Sequence, residues 1–182
     1  MSSRSSAFPF LPKKAPNELT ASLFQNAATF KDIDTSVWLY LCDLIPNTGG
    51  SIRERKLAML KRVSQELGRY YLSRGFDWER DSEGLEGCVM LEDDEMLLDN
   101  TVKAYEALGA VEHAQIVSEL IVLSDRRRKD ISEAEYAGAE FNYEDGAFDA
   151  FEKRWDAASS KFDFYQKIFA DMKRNPERYV HP

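Results

Sequence analysis

The chain has 182 residues, with 24 basic and 32 acidic side chains for a net charge of -8, and is 43% hydrophobic and 12% aromatic. This composition suits one folded domain that buries roughly two thirds of its unfolded surface. The charge argues against direct binding to nucleic acid or anionic lipid and fits a solvated exterior or a basic partner. With no apolar run of about 18 residues and no charged leader before an apolar block, neither a membrane span nor a secretory signal is expected, and the protein is read as cytoplasmic.

In chain order, residues 1–17 combine serine, proline and paired lysines without periodicity and read as a disordered or loosely docked arm. The single helical domain follows over 18–180. Leu19, Leu23, Phe24 and Ala27 suggest a short helix from Glu18 to Phe30. Asp34 or Thr35 can cap a second, carrying Val37, Trp38, Leu41 and Leu44 and ended by Pro46 and the Gly49-Gly50 turn. Ser51 and Glu54 form a capping box for a helix expected to continue to Arg74. This helix has a basic outer face, with seven cations against Glu54 and Glu66.

The sign then reverses. Between Asp77 and Asp99 stand ten carboxylates and one cation, Arg80. Gly75, Gly84 and Gly87 mark this stretch as turn-rich, with a helix restarting near Asp93. From Asp99 to Lys129 a long helical pattern is interrupted at Gly109, which reads as two helices meeting at a corner, the second ending in Arg126–Lys129. Ser132 and Glu135 form another capping-box pattern for a short helix stopping near Gly138. From Glu133 to Glu152 seven carboxylates stand without a cation. The chain ends in a run of helical aromatics, Phe148, Phe151, Trp155, Phe162, Tyr165 and Phe169, with a possible restart at Ser160 to Asp163 and a stop at Asn175-Pro176. The expected fold is all-α, a bundle of six or seven helices.

Chemistry is sparse. Only His113 and His181 are available as histidines. Beside Glu112, His113 reads as a surface or boundary residue, and His181, next to the C-terminus, as mobile. No Glu lies three residues before either, which argues against a di-metal carboxylate bundle. Cys42 and Cys88 lie 46 residues apart, without a CxxC pair, and are read as reduced thiols filling apolar surroundings rather than as a nucleophile or a disulfide. No phosphate-binding glycine loop is present, and the acidic flanks of Gly84–Gly87 would repel a phosphate. Neither a metal nor an organic cofactor is implied. A carboxylate pair of the glycosidase kind is compatible with any acidic chain, and nothing selects one. Two acidic stretches around a cationic cluster give the molecule a field with direction, and carboxylates on rigid helices can stand in for duplex phosphates. The bland alternative is a solvated acidic face paired with the chain's own arginines.

Val102–Ala110, Glu112–Ala114, Ile116, Trp155-Asp156, Phe162–Tyr165 and Met172–Tyr179 resemble the two halves of the small helical bacterial family named for a DNA-mimic protein, over about residues 84–180. That family's Asn-Gly-Gly-Phe motif is degenerate here: the matching distance falls on Leu85–Met90, which keeps one glycine. The resemblance implies an all-helical, dimeric, non-enzymatic protein that engages a basic, DNA-binding partner such as a transcriptional regulator through acidic surface. The residues expected to carry this are Asp77, Glu79, Asp81, Glu83, Glu86, Glu92, Asp93, Asp94 and Glu95, with Glu140, Glu144 and Asp145 second. An immunity or antitoxin protein blocking a nuclease-type toxin is the alternative, followed by a hydrolase with a carboxylate pair in a pocket.

Overall fold

The computed structural model describes residues 15–90, 95–138 and 146–182, and these are all-α. Eight α-helices follow in order: α1 Ala21–Asn26, α2 Phe30–Asp43, α3 Ile52–Leu60, α4 Gln65–Met90, α5 Glu95–Leu108, α6 Val111–Tyr136, α7 Ala147–Lys161 and α8 Phe164–Arg174, then a single 3-10 turn at Pro176–Arg178. α4, α5 and α6 pack on one another and form the body. α7 packs on α4 and α6, and α8 crosses against α5 and the α1–α2 end.

The core is aromatic where these helices meet. Trp155 of α7 is fully buried, with Phe76, Tyr105 and His113 around it at 4.7–5.6 Å between ring centres. Tilted and edge-to-face geometries dominate, as the ring quadrupoles favour, and each such pair adds about 1 kcal/mol to area burial. His113 is therefore buried, not at the surface. Its Nε2 lies 3.0 Å from the Ser159 hydroxyl, and its ring stacks on Tyr105. His113 shares the inward stripe of α6 with Ala114, Val117 and Leu120, and that stripe outweighs the charge of neighbouring Glu112.

Local signals set most boundaries. Gly109 takes φ +77° between α5 and α6, and Ala110 N–H reaches back to Tyr105 O at 2.9 Å, making the corner. Ser51 and Glu54 close a capping box on α3. Asp163 accepts from Gln166 N–H at 2.9 Å and opens α8, which stops at Arg174 ahead of Asn175-Pro176.

Elsewhere the chain departs from expectation. α2 begins at Phe30, where Asp32 accepts the Thr29 N–H, so Asp34 is an interior helical residue. The basic helix stops at Leu60, and α4 restarts at Gln65 behind Ser64, whose hydroxyl accepts from Leu67 N–H. α4 then runs through Gly75 and most of the expected turn region. α6 continues past Lys129 and through Ser132–Glu135 to Tyr136, so no new helix starts there. His181 is held. It exchanges backbone hydrogen bonds with Leu19, while its ring contacts the Tyr40 hydroxyl at 2.6 Å and Arg62 O at 3.1 Å.

Candidate acidic interaction surface

Gly84 is the hinge of the acidic stretch. Within α4 it adopts φ 72°, ψ 174°, and the helix kinks there. The kink frees the N–H of Leu85, which donates to Glu152 Oε1 of α7 at 2.6 Å. The other carboxylate oxygen of Glu152 accepts from Arg80 Nε at 3.0 Å. One side chain thus satisfies a broken helix turn and anchors the cation just ahead of it.

Arg80 binds further carboxylates. Its remaining nitrogens reach Asp156 at 2.5 Å and Asp81 at 3.6 Å, so α4 and α7 are laced together by one guanidinium facing three acids. Solvent access decides what this cluster presents. The Arg80 side chain is 19% exposed, against 65% for Asp81, 68% for Asp156 and 31% for Glu152. Beyond the kink the pattern repeats: Arg127 of α6 reaches Glu86 at 3.5 Å, with the arginine 5% exposed and the glutamate 53%. The cations lie beneath and the carboxylates outside. Glu83 is exposed on the same stretch of α4, and Asp149 lies one turn before Glu152 on α7. Of the α7 cations, Arg154 pairs with Glu119 and Lys161 with Glu112 of α6, while exposed Lys153 stands at helical spacing from Asp149 and Asp156, so this side of α7 also carries one cation.

Asp77 does not belong to this surface. It accepts from the Tyr165 hydroxyl at 2.6 Å, and burial raises its proton affinity above the ordinary carboxylate value, against the pull of that hydrogen bond. Next to it, Arg74 pairs with Asp34, which also accepts from Tyr70 at 2.6 Å. Burial followed by the charge of Asp77 pushes the Tyr165 hydroxyl well up. This is an internal network tying α2, α4 and α8 together. Asp77 does not line the cavities that carry Glu79, Glu66 or Glu112.

Of the other expected residues, Glu79 is part of the wall of an aromatic groove beside the acidic stretch. Glu95 opens α5. Glu92, Asp93, Asp94, Glu140, Glu144 and Asp145 lie outside the described residues. The structure adds Arg80, Glu152 and Asp156, the residues that draw two helices' acids to one side. The signal for them was present: Arg80 is the lone cation in the acidic run, and Asp149, Glu152 and Asp156 recur at i, i+3 and i+7 on a helix. Among the described residues no three His, Cys, Asp or Glu side chains group as a metal site, and no helix is long and apolar enough to cross a membrane.

A family model, DMP19-like protein, matches residues 61–175, which spans α4 through α8 and hence both helices that carry these acids. The chain belongs to the DMP19-like family. This is a family of DNA mimics, and the match agrees with the resemblance carried by the α5–α6 corner and the α7–α8 aromatics. The DMP19-like region begins upstream of that resemblance, taking in the restart of the chain at Ser64 and the whole of α4. No curated protein and no solved structure matches the chain.

Proposed function

We propose that this protein is a non-enzymatic DNA mimic: a soluble, cytoplasmic interaction protein that occupies the DNA-binding surface of a basic protein such as a transcriptional regulator, acting as a homodimer. The observation that carries the reading is the layering of charge on α4, α6 and α7, with partly covered Arg80 and buried Arg127 lying beneath the more exposed Asp81, Glu86 and Asp156. A surface paired in this way still offers carboxylate oxygens to a partner, because each guanidinium is spent on the inner side. The wall is held by two helices and a kink, so it is preorganised, and little ordering entropy opposes binding. Family membership supports the same reading. Glu92, Asp93, Asp94, Glu95, Glu140, Glu144 and Asp145 stay in the proposed contact set on the strength of the sequence alone.

The test is capture at low salt from an extract of the source cell, followed by elution with duplex DNA. A mimic loses its partner to the duplex, and the released protein itself binds DNA. A partner that duplex DNA leaves in place, or that has no affinity for DNA, would contradict the proposal. A nuclease-type toxin in the captured fraction would instead identify an immunity protein.

A further inference from the structure

Trp78 stands in the middle of the acidic run, between Asp77 and Glu79, and 53% of it is exposed. A large apolar ring on a helix otherwise rich in carboxylates is costly to leave in water and calls for an explanation. It is not isolated. Trp38 of α2 meets it edge to face at 5.7 Å, and Tyr71 stacks on Trp38 at 5.2 Å and 12°. Gly75 lies against the Trp38 ring, where a Cβ would meet it at 3.4 Å. Together with Leu97 and Glu79 these residues wall an open cavity of about 200 Å³.

We propose that this groove takes one arginine side chain of the basic partner. The proposal rests on the DNA-mimic reading and names the contact by which the same surface would recognise a protein rather than any polycation. A cavity this small admits a side chain, not a strand or a helix. Trp38, Tyr71 and Trp78 supply aromatic surface, whose quadrupoles attract a cation, Leu72, Leu97 and Leu98 can cover the arginine's methylene stem, and Glu79 stands in the same wall. One cation of the chain itself, Lys56, shares the wall, while Arg80 is turned away to α7. A guanidinium suits this better than an ammonium, because it is planar, weakly hydrated and stacks on rings while its edges reach carboxylates. A purely apolar anchor would gain the rings but strip water from the acids without replacing it. Tryptophan and arginine are also the residues around which binding energy concentrates at interfaces.

The chain has three tryptophans, so an amide spectrum of the 15N-labelled full-length protein has three indole signals, assignable by Trp→Phe variants. Three probe peptides are titrated: five lysines, the same with a central arginine, and the same with a central phenylalanine. The expected result is movement of the Trp38 and Trp78 signals with the arginine peptide while buried Trp155 stays still. Affinity should be about fivefold above the all-lysine peptide, the effect of a cation over a half-exposed indole. Trp78→Ala should erase that preference and Trp78→Phe keep most of it. Stronger movement with the phenylalanine peptide would make the groove an apolar anchor site and overturn the proposal, as would equal affinities with unmoved indoles. Asp81→Lys with Glu83→Lys separates the two readings. If that pair weakens all three peptides while Trp78→Ala changes nothing, the acidic wall stands and the groove falls. If Trp78→Ala removes the arginine preference while the charge reversal is silent, the groove stands without the wall.

Discussion

Gly84, with φ 72° and ψ 174°, occupies backbone space open almost solely to glycine, where other residues cost about 1–3 kcal/mol. Gly84→Ala should therefore lower the unfolding free energy by about that amount, and its new methyl would sit 3.3 Å from the Glu152 carboxylate, pressing on the contact that holds Leu85. Glu152→Ala removes the acceptor of both Leu85 N–H and Arg80, for a loss of about 1–2 kcal/mol in a denaturant titration. Asp77 separates stability from binding. Because it serves Tyr165 inside the fold, Asp77→Ala should cost about 1–3 kcal/mol of stability while leaving partner affinity and its salt dependence unchanged. His113 gives the pH signature. Burial is the main cause holding its pKa below the ordinary value near 6.5, with Glu112 opposing and Arg80 assisting. As the pH falls below that value the unfolded chain takes up the proton first. The stabilisation is therefore complete above the unfolded pKa and is lost as pH falls toward the folded one. Between pH 7.5 and 5.5 the wild type should lose more stability than His113→Gln, as compared by their denaturation midpoints.

Elements were legible where a local device set them. The corner at Gly109, the box at Ser51 and Glu54 and the stop before Pro176 are fixed within a few residues, and each is where the spacing puts it. The restart allowed at Ser160 with Asp163 comes later, Ser160 still lying in α7 and Asp163 itself being the cap. Asp163→Ala should accordingly cost about 1 kcal/mol of stability by leaving the Gln166 N–H unpaired. Where structure and spacing differ, a local cue is overridden by what the rest of the chain does. Gly75 and Gly87 look like breakers, yet both lie within α4, Gly75 against the Trp38 ring, and the break falls at Gly84. Ser132 and Glu135 form a box in letters, but α6 had not ended and nothing required a new start. His113 was misplaced because a charged neighbour in sequence says little about which face of a helix a residue takes. The acidic surface was half legible. The run of carboxylates on α4 was visible, whereas the turn of α7 toward it, and the inward turn of Asp77, depend on packing no sequence window contains.

At the scale of the molecule, the central issue is what remains of the negative field after internal pairing. The α4–α7 wall keeps its acids outermost because the arginines that pair with them are supplied from below. Attraction for a basic partner should then fall steeply with ionic strength, since each contact displaces counterions. Under the proposed function, family membership suggests the type of partner, and the layering of charge explains how this chain would meet it. The most direct measurement is the affinity for the captured DNA-binding partner across a salt series, for the wild type and for Asp81→Lys with Glu83→Lys. The account predicts a steep salt dependence in the wild type, a much shallower one in the variant, and binding about tenfold or more weaker at low salt. Parallel salt dependences with equal affinities would contradict it.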